Sequence, residues 1–174
     1  WRRANVTALV KAAHDVVKAA DPTLRFGISP QGNMDNDFDG QYSDIYSWLT
    51  AEGKEAVVDY LCPQIYWGYG YALQSGSTRY AFENIVPAWL ALSRSADAAL
   101  YFGLGAYRIG TGDGGANADS VSQWCTGSAL ARQVDDLRAQ GAGGWALYRY
   151  GSLFGASAPA EAEAERTALA QRTA

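Results

Sequence analysis

Val6, Leu9, Val10, Ala13, Val16, Val17 and Ala20 recur at three- and four-residue steps, the period of an amphipathic helix, and Asp21-Pro22 terminates it. Leu24 to Ser29 is a short apolar strand stopped by Pro30, followed by a polar loop from Gln31 to Gly40 and a helix near Tyr42–Thr50. The run Val57–Tyr66 is β-branched and aromatic, which predicts a buried strand. A Gly- and Tyr-rich loop, a helix near Tyr80–Ser93 and a strand over Ala99–Ala106 come next. A long Gly-rich loop then leads to a helix near Ser128–Gln140 and a last strand over Gly144–Arg149. The tail from Pro159 is rich in Ala and Glu and has helical propensity.

The order is one helix and then four strand–helix units. Strand starts near 24, 57, 99 and 144 leave room for right-handed βαβ crossovers, so the fold class is α/β with a parallel sheet. Two architectures accommodate it. One is half of a (β/α)8 barrel, whose full form needs about 250 residues; the other is a small open doubly wound sheet. A leading helix without its strand, and long loops after the strands, favour the half barrel. Residues 1–155 would form that half and residues 156–174 a terminal helix or tail. A half barrel has unpaired edges and an uncovered face. It is expected to meet a missing amino-terminal half barrel, or a second copy as a homodimer.

Composition narrows the function. The chain has 174 residues, 48% of them hydrophobic and 18% charged, as a globular domain does. With a formal net charge of −4 and no basic run, a nucleic-acid footprint is absent. No apolar stretch is long enough to span a membrane. The six Trp and eleven Tyr cluster towards strand ends, which favours a neutral ring-bearing ligand such as a carbohydrate. Cys62 and Cys125 read as free thiols.

In a parallel sheet all carboxyl ends share one rim, where ligands bind. The first strand delivers Ser29, Pro30 and Gln31 there; the second Gln64, Tyr66 and Trp67; the third Tyr107 and Arg108; the fourth Tyr148, Arg149 and Tyr150. Aromatic faces beside side-chain amides suit a sugar ring, with its apolar C–H faces and hydroxyl rim. Arg108 and Arg149 would bind a sugar carboxylate, hold an Asp from elsewhere, or serve as scaffold ion pairs.

Carboxylates are missing from that rim. Glycoside hydrolysis usually needs two carboxyl groups roughly 5–9.5 Å apart, and no Asp or Glu ends a strand. Asp59 lies near the amino end of its strand and reads as structural, Asp44 as a helix cap or arginine partner. The run Asp35-Asn36-Asp37-Phe38-Asp39-Gly40 matches the first half of a calcium loop, but Tyr46 stands where a bidentate Glu is wanted. An EF-hand is rejected; a looser calcium site or a solvated acidic loop both remain. His14 is the only histidine, so a zinc cluster has no ligand set, and no cofactor is expected.

WRRANV, FGISPQGN, YSDIYSWL with VDYLCPQIYWG, LYFGLGAYRIGTGD and QVDDLRAQGAGGWALYRYGSLF stand in order over residues 1 to about 154. Together they resemble the carboxyl-terminal half of bacterial glycosyl hydrolase-like family 10. The resemblance implies a (β/α)8 barrel whose fifth to eighth strands are the four here, in a secreted or envelope-anchored protein. It also implies cleavage of glycan strands, such as those of peptidoglycan stripped of its peptides. Ser29, Gln31, Asn33, Gln64, Tyr66, Trp67, Tyr107 and Arg108 fall on motif positions expected to line the cleft and orient sugar. The family's Asp-rich stretch would lie just upstream of Trp1. Gln123 stands before Trp124 where the resemblance leads one to expect Glu.

The leading reading is therefore the sugar-binding part of a glycoside hydrolase, with the catalytic carboxylates upstream and no catalytic residue in this segment. A non-catalytic carbohydrate-binding module using the same rings is the alternative. An open-sheet signalling or nucleotide domain would want Asp residues at a strand end, and none is seen.

Overall fold

The structure, a computed structural model, describes residues 1–50 and 57–172. It opens with α1 (Arg2–Ala20), ended by Asp21 as read from the sequence. The inward face differs from the expected one. Val10 is buried, while Leu9 and Val16 are 71% and 70% exposed. Thr7 and His14 point inward instead: the Thr7 hydroxyl accepts the Trp48 indole N–H at 2.9 Å, and the His14 ring meets Phe26 edge-on. Seven apolar positions make a stripe wider than the surface available to cover it.

The sheet strands are short: β1 (Gly27–Ile28), β2 (Tyr60–Leu61), β3 (Gln64–Ile65), β4 (Ala99–Leu100), β5 (Phe102–Gly105) and β6 (Trp145–Tyr148). The continuous strands expected over Val57–Tyr66 and Ala99–Ala106 are thus each interrupted once. Pro63 has no N–H to donate, which breaks the first. Register nevertheless carries through. Tyr60 faces Ala99 and Gln64 faces Gly103, while the Tyr101 and Gly103 N–H groups bond to Leu61 O and Pro63 O at 2.9 Å each. On the other side Gly27 faces Tyr60 and Gln31 faces Gln64. β6 pairs with β5 from Phe102↔Trp145 to Gly105↔Tyr148. All pairs are parallel, and each rib of the sheet lies beside the next in sequence.

Right-handed crossovers in that order put the connecting helices on one face. Those helices are α2 (Ile45–Leu49), α3 (Phe82–Leu90) and α4 (Ala129–Ala139), with α5 (Tyr150–Phe154) and α6 (Ala162–Ala170) after β6. Strand order without reversal belongs both to one wall of a (β/α)8 barrel and to each half of a doubly wound sheet. No closed barrel forms among the described residues. Leu61, Ile65, Leu100, Phe102 and Leu104 bury against Phe82, Val86, Trp89, Leu130 and Val134. Along β6 the two faces separate cleanly: Trp145 and Leu147 are half-buried while Ala146 and Tyr148 are exposed.

Three of the six Trp belong to this core rather than to any rim. Trp48, Trp89 and Trp124 are each at most 1% exposed. Each indole N–H is satisfied, by Thr7 Oγ1, Gly32 O and Asp113 Oδ2 respectively. Their share of the aromatic content therefore says nothing about a ligand.

Two polar staples hold the periphery. Asp59 accepts from Lys18 Nζ at 2.7 Å and from Phe26 N–H at 2.6 Å, tying α1 to the start of the sheet. Burial pushes its carboxyl up, but the Lys18 ammonium and the Phe26 N–H outweigh that and hold it below the usual carboxylate range. The structural reading of Asp59 stands, as does that of Asp44, which caps α2 through Ser47 N–H at 3.1 Å. The tail is anchored as well. Glu165 of α6 is fully buried and accepts the Ala129 N–H at the start of α4, a carboxylate on a helix amino terminus. Arg172 of the same tail grips Asp135 with two nitrogens.

Candidate functional site

The parallel sheet brings the ends of β3, β5 and β6 side by side, and three tyrosines meet there. Tyr66 stacks on Tyr148 with centroids 5.7 Å apart and planes at 21°. Tyr107 stands edge-on to both, 5.4 Å from Tyr66 and 6.1 Å from Tyr148. The glycines of β5 make this possible. A Cβ on Gly105 would lie 3.3 Å from Tyr66 Cβ and 3.1 Å from Arg108 Cγ, and one on Gly103 would lie 3.7 Å from Tyr66 Cε1. A side chain at Gly105 would crowd the Tyr66 Cα and Cβ and the Arg108 stem, whereas at Gly103 the Tyr66 ring would be met only in ordinary contact.

Burial, with Tyr107, Tyr148 and Cys62 beside it, pushes the Tyr66 phenol up to about 12, so it is neutral at physiological pH. None of the three hydroxyls has a hydrogen-bond partner among the described residues. The cluster is a set of rings with free O–H groups, able both to stack against a sugar face and to bond its hydroxyls.

Arg108 lies on a short 3₁₀ turn (Ala106–Arg108) directly after β5, its guanidinium 4.7 Å from the Tyr107 centroid. Arg149 follows Tyr148 and is exposed. Gln64 lies across from Gln31 and donates to Ser29 O at 3.2 Å, leaving its own oxygen without a partner among the described residues. Ser29 donates to Cys62 O at 2.8 Å. Gln31 accepts from Asn36 Nδ2 at 2.6 Å, and Asn33 accepts the Asn36 N–H at 3.2 Å, so these two are engaged in shaping their own loop. Trp67 stands in a second aromatic group. It stacks on Tyr80 at 5.0 Å, tilts against Tyr71 at 5.8 Å, and packs so closely on Gly32 that a Cβ there would lie 2.5 Å from its ring. The Tyr66–Tyr107–Tyr148 set and the Trp67–Tyr71–Tyr80 set are separate ring clusters.

The acidic run after β1 is not an open loop. Asn36–Gly40 form one wide helical turn capped by Asp35, and the three carboxylates of the run, Asp35, Asp37 and Asp39, go to different partners. Asp35 pairs with Arg79, and Asp39 lies 3.7 Å from Arg3. Asp37 turns inward, 2% exposed, accepting the Gln31 N–H at 3.0 Å on one oxygen and nothing on the other. Among the described residues no three ligating side chains stand together as a metal site. Sequence reasoning missed Asp37 because an acidic run with Asn and Gly has the composition of a solvated loop. Its burial follows from the need of the Gln31 N–H for an acceptor where the strand ends.

Burial raises Asp37 from 3.8 to about 6 against the opposing Gln31 N–H. The folded state therefore holds this proton more tightly than the unfolded chain. Its contribution to stability is full below about pH 4 and falls as pH rises to about 6, by on the order of 2–3 kcal/mol. Urea titrations at pH 4 and pH 7 are expected to show this fall in the wild type and its absence in Asp37→Asn. Equal pH dependence in both proteins would contradict the assignment.

A second buried carboxylate joins the loops that follow β3 and β5. Asp113, 5% exposed, accepts from Gly68 N–H at 2.7 Å, Trp124 Nε1 at 3.2 Å and Gly115 N–H at 3.0 Å. Gln123 clasps the Tyr69 backbone from both sides, accepting its N–H at 2.8 Å and donating to its carbonyl at 3.0 Å. A carboxylate accepts but cannot donate, so Glu at this position would lose half of the clasp. The departure from the expected Glu thus has a structural role. Tyr69 itself donates to Asp136 beneath the Arg132 guanidinium, 3.6 Å from its ring; burial and the Asp136 carboxylate push its phenol well above the usual range. The turn-forming TGDGG sequence around Asp113 was the one signal that this loop is fixed.

A family model described as Glycosyl hydrolase-like 10 matches residues 1–120. Glycosyl hydrolase YngK of Bacillus subtilis (strain 168) is 32% identical over 124 residues, which are 63% of this chain and 22% of YngK. Glycosyl hydrolase DigH of Escherichia coli (strain K12) is 27% identical over 124 residues, 63% of this chain and 26% of DigH. The chain spans about a quarter of the length of these curated relatives. No solved structure matches it.

Proposed function

Since the chain belongs to the glycosyl hydrolase-like 10 family, we propose that it is the sugar-binding part of a glycoside hydrolase acting on a bacterial cell-wall or related polysaccharide. The observation that carries this reading is the ring cluster itself: Tyr66, Tyr107 and Tyr148 packed within 6.1 Å at the carboxyl ends of three neighbouring strands, their hydroxyls unclaimed. The chain supplies stacking and orientation, and the carboxyl groups that move protons come from elsewhere in the folded protein. The exposed edge of the sheet at β6 is completed by the other half of a (β/α)8 barrel or by a second copy of the chain. Residues 1–155 act as the barrel portion, with the tail as a buttress. A substrate of this class lies outside the cytoplasm, and that is where the protein acts.

A second reading, a carbohydrate-binding module without catalysis, is favoured by one observation: among the described residues, no carboxylate contacts the ring cluster. Purified peptide-free glycan strands incubated with the full-length protein separate the two. The hydrolase reading expects new reducing ends to accumulate with time. Binding without release would make the module reading correct, and neither binding nor release would remove both.

A further inference from the structure

The tail grips both segments that carry the ring cluster. The loop after β5 leaves the 3₁₀ turn bearing Tyr107 and returns to the sheet through α4. Near its start, Gly110 has a φ of +73°, and a Cβ there would stand 3.0 Å from Pro159 Cβ and from Glu161 Oε2. At its end, Gly127 has a φ of +70°, and a Cβ there would stand 2.6 Å from Ala164 Cβ. Two residues further on, the Ala129 N–H donates to Glu165. On the neighbouring strand, α5 begins directly after Tyr148 and Arg149, and Arg166 donates to its Leu153 carbonyl. Ser157 and Pro159 also wall a hollow of about 340 Å³ that Tyr107 lines.

Glu165 is the joint of this brace. It is fully buried, yet its Oε2 has no hydrogen-bond partner among the described residues. Burying a carboxylate is costlier than burying an apolar side chain of like size, so apolar packing would hold the tail down at least as well. What an apolar contact lacks is direction. A hydrogen bond to the first N–H of α4 weakens steeply when bent, so it fixes where the loop after β5 must end. The ladder between β5 and β6 stops at Gly105↔Tyr148, two residues short of Tyr107. Past that point the spacing of the two rings depends on the loop, on α5 and on what holds them together.

We propose that Glu165 is a positioning residue: by seating α6 across the loop after β5 and across α5, it sets the spacing of Tyr107 and Tyr148 and hence the affinity of the ring cluster. It touches no ligand itself. The effect on affinity rests on the glycan reading above, while the effect on ring spacing does not.

Full-length wild type, Glu165→Ala, Glu165→Gln and Arg172→Ala are compared by tyrosine side-chain ¹³C spectra without ligand, by urea unfolding, and by titration with peptide-free glycan oligomers. In folded Glu165→Ala the signals of Tyr107 and Tyr148 are expected to move while those of Tyr60 and Tyr101 keep their places. Affinity should fall about fivefold, the worth of one hydrogen bond lost at the cluster. Glu165→Gln keeps an acceptor for the Ala129 N–H and should restore most of both. Arg172→Ala frees Asp135 just past the end of α6 and should move the same two signals by less, which keeps the test sound if Glu165→Ala does not fold. A lowered urea midpoint with all four signals and the affinity unchanged would make Glu165 a stabilising residue only and overturn the proposal. Shifts spread equally over Tyr60 and Tyr101 would overturn it too, as the mark of general loosening, and so would moved signals with undiminished affinity. If the wild type binds no glycan, the glycan reading falls alone, and the spectra without ligand still decide the ring spacing.

Discussion

Tyr148→Ala is expected to weaken glycan binding by about tenfold while leaving the unfolding transition nearly unchanged. The residue is 53% exposed at the end of β6, so truncating it opens no cavity in the core. Surface changes of that kind usually move stability by less than about 0.5 kcal/mol. What is lost is one wall of the ring cluster. A well-placed ring face is worth about 0.5–1.5 kcal/mol beyond its buried area, and a hydroxyl hydrogen bond about 1 kcal/mol. Those sum to roughly a tenfold or greater loss in affinity. Tyr148→Phe keeps the ring and should lose only about fivefold. Fluorescence titration of the full-length protein with peptide-free glycan oligomers reads both effects. Unchanged affinity in Tyr148→Ala would mean that sugar binds elsewhere.

The largest effect on the fold is expected at Asp113. Alanine there strands the Gly68 N–H and the Trp124 indole N–H in the interior and frees the Gly115 N–H. Each buried donor left without an acceptor costs about 1–3 kcal/mol, so Asp113→Ala should lose about 3–5 kcal/mol. That is a large part of the 5–15 kcal/mol that holds a typical domain. Asp113→Asn retains one oxygen and should lose less. The urea midpoint should fall with an unchanged slope. A loss under about 1 kcal/mol would show that water or a shifted loop replaces the carboxylate.

The residues disclose some of this without coordinates and hide the rest for identifiable reasons. Apolar runs at 24, 57, 99 and 144 declare four parallel ribs, because consecutive buried residues between helical segments have few other uses. They do not declare strand breaks: Pro63 interrupts the second rib, yet the register passes through it unchanged. Tyr66, Tyr107 and Tyr148 were legible as a rim because parallel ribs share one end. Trp67 was not separable from them, since strand-end position does not tell which way a loop turns after the strand. Nor were the core indoles, because Trp48, Trp89 and Trp124 are distinguished only by tertiary acceptors for their N–H groups. Asp37 stands in a run with the composition of a solvated loop and Glu165 in an Ala- and Glu-rich tail, and each is buried where a backbone N–H, of Gln31 and of Ala129, required an acceptor.

Three phenols at one end of a parallel sheet are proposed to form a sugar platform. Side-chain ¹³C labelling of tyrosine in the full-length protein, titrated with peptide-free glycan oligomers, tests it at the atoms concerned. The resonances of Tyr66, Tyr107 and Tyr148 are expected to shift together and saturate at one concentration, while those of Tyr60 and Tyr101 at the opposite end of the sheet stay still. Saturable shifts confined to other tyrosines, with these three unmoved, would contradict it.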